Sequence, residues 1–345
     1  MTRVLVIKLA AIGDVVMAMP LLPALRKKYP EGRISWVCGA QAAPLLRATG
    51  LVDELIEIDE RKLLSGSLLA KVAALLGVWS KIAGRPFDLV LTVHTDPRYR
   101  LLTWPVFCRD KRSWQRGIHP VPGRYHAQEC LRLLDREEGA IVRKLEFPSL
   151  QLPPYQEVKR PLIVLAPGGA KNVLADDAVR RWPIEHYAKV ASALAKEACV
   201  IITGSASDEW VRPYFPMDVQ CMLGNLTLLD LVALLQKSSL LITHDSGPLH
   251  LAKLARCAAI ALFGPTIPQE KVGVDENIKI LWGGEHLACR PCYTGKMYTR
   301  CQRNKCLRSI SAEQVIAEAK KLLSFEKKER QDHSFNDEKY DRAKL

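Results

Sequence analysis

Short apolar runs alternate with helical patterns along most of this chain, and the whole alternation occurs twice. In the first half, strands are predicted at Arg3–Ile7, Arg33–Val37, Glu54–Ile58 and Leu89–Val93. The helices of that half are predicted at Asp14–Lys28, Leu68–Ile82 and His126–Glu138. Because strand–helix–strand alternation builds a parallel sheet covered by helices, this half is predicted to be an α/β unit that binds ligands at the carboxyl ends of its strands.

The pattern restarts after a proline-rich stretch, Phe147–Arg160. Its second round predicts strands at Leu162–Ala166, Cys199–Thr203, Leu240–Thr243 and Ala258–Phe263. Helices are predicted at Ile184–Glu197, Leu228–Lys237, Leu249–Ala255 and Ala312–Ser324. We therefore predict two Rossmann-like domains that face each other across a cleft, the first over residues 1–155 and the second over 156–324, with a charged, disordered tail at 325–345.

The net charge of +13 restricts the partners of the chain without naming one. A basic surface favours polyanions, such as nucleic acid, an acidic membrane face or a phosphorylated acceptor. No apolar run approaches the roughly 20 residues that span a bilayer, and Met1 leads directly into a strand pattern rather than a signal peptide. We expect a cytoplasmic protein, and the sequence gives no information on its oligomeric state.

The most informative turn lies between a strand and a helix, at Asp245-Ser246-Gly247-Pro248. Such a turn directs backbone N–H groups and the positive end of a helix dipole at one point in space. With Asp245, Ser246 and His250 beside it, the turn is predicted to bind a phosphate.

The loop after the first strand contains Lys8, Gly13 and Asp14. Gly13 is expected to permit a tight turn. Asp14 is interpreted as the N-cap of the following helix, as a general base at the mouth of the cleft, or as both. The loop has neither the Gly-x-Gly-x-x-Gly spacing of dinucleotide sites nor the Lys-Ser/Thr of a P-loop, which disfavours nicotinamide enzymes and nucleoside triphosphatases.

A glycine turn occupies the equivalent place in the second half, at Gly168-Gly169. These glycines would let backbone approach a ligand closely, and Lys171 and Arg180 could neutralise phosphate charge. If the strands before Gly168 and Asp245 are neighbours, the two turns converge.

A basic segment with interleaved aromatic residues runs from Arg98 to Arg116. It is a solvated surface, a nucleic-acid surface or a surface for an anionic acceptor, and we favour the acceptor. His94 and His126 are either acceptor contacts or structural histidines.

Four of the ten cysteines are clustered, at Cys289, Cys292, Cys301 and Cys306. Their spacing is compatible with a structural zinc site, and reduced or partly oxidised thiols are the alternative.

Three motifs in order make the chain resemble glycosyltransferase family nine, the ADP-heptose:lipopolysaccharide heptosyltransferases. The motifs are Lys8-x-x-x-Ile12-Gly13-Asp14, Pro167-Gly168-Gly169 leading to Arg181-Trp182-Pro183, and Asp245-Ser246-Gly247-Pro248-x-His250 followed by Phe263-Gly264-Pro265-Thr266. The resemblance runs from Met1 to about Ser324.

The resemblance implies a GT-B fold and inverting transfer of a heptose from ADP-heptose to a hydroxyl of the lipopolysaccharide inner core, at the cytoplasmic face of the inner membrane. It implies Asp14 as catalytic base with Lys8 beside it, and a donor site that comprises Gly168, Gly169, Arg180, Asp245, Ser246, Gly247 and His250. From the residues themselves we add Lys171 and Asp230 to the donor site and place Gly13, His94, Arg98, Arg116 and His126 on the acceptor side. Asp230 departs from the pattern, because it lies one residue later than the acid of several relatives.

No Asp-x-Asp metal motif stands in a suitable loop, so transfer without a metal or other cofactor is expected, with cationic residues stabilising the diphosphate. Two alternatives remain: a GT-B enzyme that uses another nucleotide sugar, and a basic protein that binds nucleic acid or another polyanion.

Overall fold

The structure, a computed structural model, describes residues 1–114, 119–136, 142, 145–151, 161–171, 175–293, 298, 301 and 303–324. Its strands form two separate sheets in which every neighbouring pair is parallel. The predicted fold class, two Rossmann-like α/β units, is therefore confirmed. The predicted domain boundary at 155/156 and the tail at 325–345 lie outside the described residues.

The first sheet has five strands in the order β3-β2-β1-β4-β5. Its strands are β1 (Arg3–Ile7), β2 (Arg33–Gly39), β3 (Glu54–Ile58), β4 (Leu89–Thr92) and β5 (Asp110–Ser113). The helices of this unit are α1 (Ile12–Ala18), α2 (Leu21–Lys28), α3 (Ala43–Ala48), α4 (Glu60–Ser65), α5 (Leu68–Ile82), α6 (Arg98–Leu102) and α7 (His126–Asp135). The central strand β1 is apolar at consecutive positions because helices cover both faces of the sheet.

The second sheet has six strands in the order β11-β10-β9-β6-β7-β8. They are β6 (Leu162–Ala166), β7 (Cys199–Gly204), β8 (Gln220–Leu223), β9 (Leu240–His244), β10 (Ala259–Phe263) and β11 (Ile278–Trp282). The helices are α8 (Ile184–Leu194), α9 (Leu228–Lys237), α10 (Gly247–Ala255), α11 (Pro268–Val272) and α12 (Lys305–Arg308), with 3₁₀ helices at Ala178–Arg180 and Ala206–Tyr214. Residues 312–324 are also helical.

The single helix predicted over Asp14–Lys28 is wrong, since the structure divides it into α1 and α2. Pro20 stands between them, and its ring nitrogen has no N–H to continue the helical hydrogen bonds. The helix predicted to end at Glu138 ends at Asp135, because Arg136 adopts a left-handed conformation with φ 59°.

The sequence analysis missed three edge or near-edge strands, β5, β8 and β11. β5 has the sequence Asp-Lys-Arg-Ser and lies inside the basic segment, so no apolar pattern marks it. Its backbone nevertheless pairs with β4 in the register Leu91 to Arg112. An edge strand of this kind is specified by its neighbour rather than by its own composition.

The two units pack together through α1 of the first and α10 of the second. Buried apolar residues of both helices, including Val15, Val16, Leu249 and Ala252, belong to one continuous core cluster. A polar contact supports the junction, because the Lys253 ammonium donates a hydrogen bond of 3.0 Å to the Tyr125 hydroxyl. Lys253 of α10 is thereby joined to the start of α7, while the apolar contacts hold α1 against α10.

Among the described residues, no helix combines the length and the apolar character that crossing a bilayer requires.

Candidate functional site

Each sheet has one topological switch point, where consecutive strands are added first on one side and then on the other. The candidate site is built from the loops at these two switch points. In the first sheet, β1 lies between β2 and β4, so the loops after β1 and β4 open a crevice at the carboxyl edge. In the second sheet, β6 lies beside β9, with Ala166 opposite Thr243. The prediction that the Gly168 and Asp245 turns converge is therefore confirmed.

Asp14 lies in the first turn of α1 and pairs with Lys8. The N-cap of α1 is Ala11, which has no side-chain cap, so the interpretation of Asp14 as an N-cap is wrong. The Lys8 ammonium lies 3.4 Å from the Asp14 carboxylate, and the side chains are 1% and 33% exposed. Burial raises the pKa of Asp14, but Lys8, with smaller contributions from His126 and Lys271, holds that pKa well below its usual range. Asp14 is thus an ionised carboxylate that still reaches solvent.

Gly13 has a role different from the tight turn that the sequence predicted. It lies within α1 and its φ is not positive. A Cβ atom at this position would lie 2.4 Å from Cδ2 of His250. Gly13 is therefore needed because α10 approaches α1 closely, which brings the two units together beside Asp14.

His94 and His126 both lie near Asp14. The His94 ring stacks on Tyr99 at 3.9 Å, and its Nδ1 accepts a hydrogen bond from the Asp96 N–H, so Nε2 carries the proton. His126 begins α7, and its buried Nε2 has no hydrogen-bond partner among the described residues. Burial lowers the pKa of His94 to about 4 and that of His126 to about 3, although Asp14 opposes both shifts. Both rings are neutral near pH 7.

Hydrogen bonds of Thr243 fix the turn after β9, both to the neighbouring strand β6 and within the turn. Thr243 Oγ1 donates to the carbonyl oxygen of Ala166 at 3.1 Å, and the hydroxyls of Thr243 and Ser246 are 3.2 Å apart. Ser246 is the N-cap residue of α10, yet its side chain does not cap the helix. The first turn of this nine-residue helix is therefore left without a side-chain acceptor, as an anion site requires. Gly247 opens α10, and a Cβ there would meet no described atom within 4 Å.

Asp245 is buried and its charge is compensated. Thr266 Oγ1 donates to its carboxylate at 2.8 Å, and Arg180 Nη1 lies 3.6 Å from the same oxygen. Burial raises the pKa of Asp245, but Arg180, Lys271, His250 and the Thr266 hydrogen bond together outweigh it, and the net shift is downward. Arg180 also donates to the Asp245 carbonyl and pairs with Asp177 at 3.3 Å, so it connects two loops of the site.

The glycine turn after β6 is fixed by Asp208, a residue that the sequence analysis missed. The Asp208 carboxylate accepts a hydrogen bond of 2.9 Å from the Gly169 N–H. A Cβ at Gly168 would lie 2.4 Å from Cγ of Asp208, so Gly168 makes room for this carboxylate rather than for a ligand. Gly169 has φ +77°, and its would-be Cβ lies 3.7 Å from Ser246. Lys171 follows on the same loop and is exposed.

His250 lies between the two halves of the site. It is 4% exposed, and its Nδ1 has no partner among the described residues. Burial lowers its pKa to about 4, while Asp245 and Asp14 oppose the shift. The His250 ring is therefore neutral near pH 7, and it packs between Gly13 and the Asp245–Gly247 turn.

Lys271 and Glu60 are further site residues that sequence reasoning missed. Lys271, on α11, lowers the pKa of both Asp14 and Asp245, so its ammonium is within electrostatic reach of both units. Glu60 begins α4 near Lys8, and burial raises its pKa to about 7. Neither residue lies in a motif, and only the folded chain brings it to the cleft.

Two predicted site residues are engaged elsewhere, and one is not described. Asp230 forms a capping box with Thr227, accepting from its N–H at 3.0 Å and its hydroxyl at 2.7 Å. Arg98 makes a forked contact with Asp96 at 2.9 and 3.0 Å and donates to the Leu64 carbonyl. The proposed roles of Asp230 on the donor and of Arg98 on an acceptor anion therefore compete with structural ones. Arg116 lies outside the described residues.

The cysteine cluster lies beside the donor-side turn. The Cys292 N–H donates to the Pro265 carbonyl at 3.0 Å, which brings Tyr293 next to Lys271. Cys306 is buried and Cys289 and Cys301 are exposed, and all four are free thiols. The described residues contain no group of three or more potential ligands arranged to hold a metal ion, so zinc binding stays a prediction.

The arrangement can support displacement of a leaving group across the cleft. One wall carries an ionised carboxylate, Asp14, that can accept a proton from a hydroxyl. The other carries an open helix N-terminus with two cations, Arg180 and Lys271, which can stabilise a departing anion.

Comparisons with known proteins agree with this geometry. The model of glycosyltransferase family 9 (heptosyltransferase) matches residues 136–300. Lipopolysaccharide heptosyltransferase 2 of Escherichia coli K12 is 29% identical over 301 residues, covering 77% of this chain and 84% of that protein. Lipooligosaccharide heptosyltransferase 2 of Campylobacter jejuni serotype O:2 is 28% identical over 214 residues, and that match covers 56% of this chain but only 64% of the relative.

A solved structure entitled E. coli ADP-heptose lps heptosyltransferase II superposes with a TM-score of 0.67 at 20% identity, covering 94% of this chain and 100% of that one. It supports the predicted GT-B architecture of two facing parallel-sheet units. The matched family model, the relatives and this fold together indicate a glycosyltransferase that is similar to the heptosyltransferases of glycosyltransferase family 9.

Proposed function

We propose that this chain transfers a heptose from ADP-heptose to a hydroxyl of the lipopolysaccharide inner core, with inversion at the anomeric carbon and without a metal ion. The observation that carries the proposal is the position of Asp14 on one unit opposite the Asp245–Gly247 turn and Arg180 on the other. The names of the relatives supply the sugar, the nucleotide and the acceptor.

In the proposed step, Asp14 takes the proton of the acceptor hydroxyl as its oxygen attacks the anomeric carbon. The bond between that carbon and the diphosphate oxygen breaks, and ADP leaves with the electron pair. A single displacement from the face opposite the leaving group inverts the configuration. The low pKa of Asp14 keeps it ionised, and proton transfer becomes favourable only as the attacking oxygen loses electron density.

Charge compensation by side chains supports metal independence. Asp176 and Asp177, which lie near the donor side, pair with Arg181 and Arg180 respectively. Their carboxylates are thereby used in ion pairs, and Lys271 and the open N-terminus of α10 provide positive charge for the diphosphate.

The test is ADP release from ADP-heptose in the presence of a core acceptor truncated before the transferred heptose. We expect turnover that survives EDTA and a product of inverted anomeric configuration by NMR. Asp14→Asn should lose about 10²- to 10⁴-fold in turnover while ADP still binds, because the amide cannot accept the proton. Asp135→Asn, an exposed carboxylate paired with Lys28, is the matched control and should retain activity.

Several results would contradict the proposal. If Asp14→Asn does not change turnover, Asp14 is not the base. If EDTA abolishes activity and added metal restores it, the transfer depends on a metal ion. Turnover with a UDP- or GDP-sugar but none with ADP-heptose would favour the alternative of another nucleotide sugar.

A further inference from the structure

An apolar patch lies on the first unit, on the surface of α5 and on the segment after α6. It comprises Leu69, Val72, Leu76, Leu101, Trp104 and Phe107, all of which are exposed. Trp104 is 75% exposed and Phe107 89%. Single exposed apolar residues are ordinary, but a contiguous set of large ones marks an interaction surface.

The patch is continuous because α5 and α6 pack against each other. The Trp79 indole N–H donates to the Leu101 carbonyl at 2.9 Å, and the rings of Trp79 and Trp104 are 5.6 Å apart. The inner face of α5 contributes Val78 and Ile82 to the core. This helix is therefore apolar on its solvent side as well as its buried side, with Lys71 and Lys81 as its only charged residues.

Positive charge surrounds the patch. Residues 61–111 contain nine Lys or Arg and three Asp or Glu, and two of these cations, Lys62 and Arg85, pair with Asp59 and Glu54 from the preceding segment. Asp96 and Asp110, two of the three acids, are paired with Arg98 and Arg112. Within the part of the chain that the structure describes, no ion pair is found for Lys71, Lys81, Arg100 or Arg109.

We propose that the apolar patch of α5 and of the segment after α6 docks this enzyme on an anionic lipid bilayer. An exposed apolar helix face with aromatic residues and a basic surround has the composition of an interfacial membrane anchor. A second copy of this chain fits less well, because a two-fold contact through the patch would bring two sets of positive charge together.

Docking through this patch would serve the proposed function, and the biological use of the docking rests on that function. α4 and α6 follow the carboxyl ends of β3 and β4, the same sheet edge as Lys8. Arg98 joins α6 to α4 through the Leu64 carbonyl, and Tyr99 of α6 stacks on His94 at the site. Docking through the patch would therefore place the first unit, which carries Asp14, against the bilayer that holds a lipid-linked acceptor.

The test is sedimentation of the purified full-length protein with vesicles of phosphatidylcholine, either alone or with about 30 mol% of the anionic lipid phosphatidylglycerol. We expect binding to the anionic vesicles and at least about tenfold weaker binding by L69E/L76E and, separately, by Trp104→Ala. Met217→Glu, which changes an apolar residue 89% exposed on the second unit, is the matched control and should bind as the wild type does.

A second measurement separates this inference from the proposed function. With a deacylated, water-soluble acceptor, L69E/L76E should turn over as the wild type does, and with the acceptor embedded in vesicles it should lose activity. If the protein binds anionic vesicles but transfers no heptose, the docking surface is supported and the proposed function is contradicted. Transfer by a wild type that does not bind anionic vesicles would overturn the docking surface, as would a dimer in light scattering that L69E/L76E dissociates.

Discussion

Glu60 and Asp14 both lie within electrostatic reach of the buried Lys8 ammonium, yet their pKa values shift in opposite directions. Lys8 and other cations dominate at Asp14, whereas burial dominates at Glu60 and raises its pKa to about 7. The difference follows from position: Asp14 has a direct ion pair at 3.4 Å, and the described residues give Glu60 none. One carboxyl is therefore ionised at every working pH, and the other changes protonation near neutrality.

Glu60→Gln should make folding stability less dependent on pH. Since the folded-state pKa of Glu60 lies above its unfolded value of about 4.5, its favourable contribution is complete below pH 4.5 and is lost as pH rises through 7. A neutral glutamine avoids that loss. Relative to the wild type, the variant should gain about 1 to 2 kcal/mol of unfolding free energy between pH 5 and pH 8, allowing for partial solvent screening.

Urea unfolding of both proteins at pH 5 and pH 8 measures this difference. A substitution effect that is the same at the two pH values would mean that Glu60 does not titrate in this range.

Helices α1 and α10 illustrate how one contact between elements serves the site. α1 carries Asp14, α10 begins at the Asp245–Gly247 turn, and Gly13 and His250 meet where the helices pack. The His250 ring is buried and cannot move aside freely. The distance between Asp14 and the Asp245–Gly247 turn therefore depends on a glycine at the interface between the two helices.

Gly13→Ala should destabilise the protein by about 1 to 3 kcal/mol and lower turnover, because its Cβ would press α1 away from α10. Gly77→Ala is a matched control: this glycine also lies within a helix, but its Cβ would meet no described atom within 4 Å. There the substitution should stabilise by up to about 1 kcal/mol through helix propensity.

The double variant G13A/H250A tests the mechanism of the effect. If the clash with the ring is the cause, removing the ring should recover part of the lost stability, and the two effects should be non-additive. Additive losses would place the cause elsewhere.

At the scale of the whole molecule, charge connects the two units across the cleft. Lys271 belongs to the second unit, yet it lowers the pKa of Asp14 in the first as well as that of Asp245 in its own. A bound nucleoside diphosphate would be held among the helix terminus of α10, Arg180 and Lys271. Its binding should therefore stabilise the folded protein by mass action.

Lys271→Ala should reduce the stabilisation that ADP provides. At a concentration 100 times its dissociation constant, ADP stabilises by about 2.7 kcal/mol, and a tenfold weaker affinity leaves about 1.4 kcal/mol at the same concentration. The check is the change in melting temperature on adding ADP, measured against each variant's own baseline. Lys279→Ala removes an exposed lysine of β11 in the same unit, and its ADP shift should match the wild type. Equal ADP shifts in K271A and K279A would exclude Lys271 from the donor site.

The sequence by itself determined the strands at the centre of each sheet, because β1, β6, β9 and β10 are buried on both faces and must be continuously apolar. It also determined the turns that follow them, at Lys8–Asp14, Gly168-Gly169 and Asp245–Gly247, since glycine, proline and acidic residues at strand ends have few other structural uses. These local signals were sufficient to predict the fold class and the three loops of the site.

Only the tertiary structure decided which side chains those loops use and for what. Asp230 and Arg98 are engaged by neighbouring groups, whereas Asp208, Lys271 and Glu60 reach the site from segments without any motif. The reason is physical: burial, ion pairing and close approach depend on distances between residues far apart in the chain. Gly13 shows this most directly, because the sequence predicts a turn there and the packing of His250 gives its actual reason.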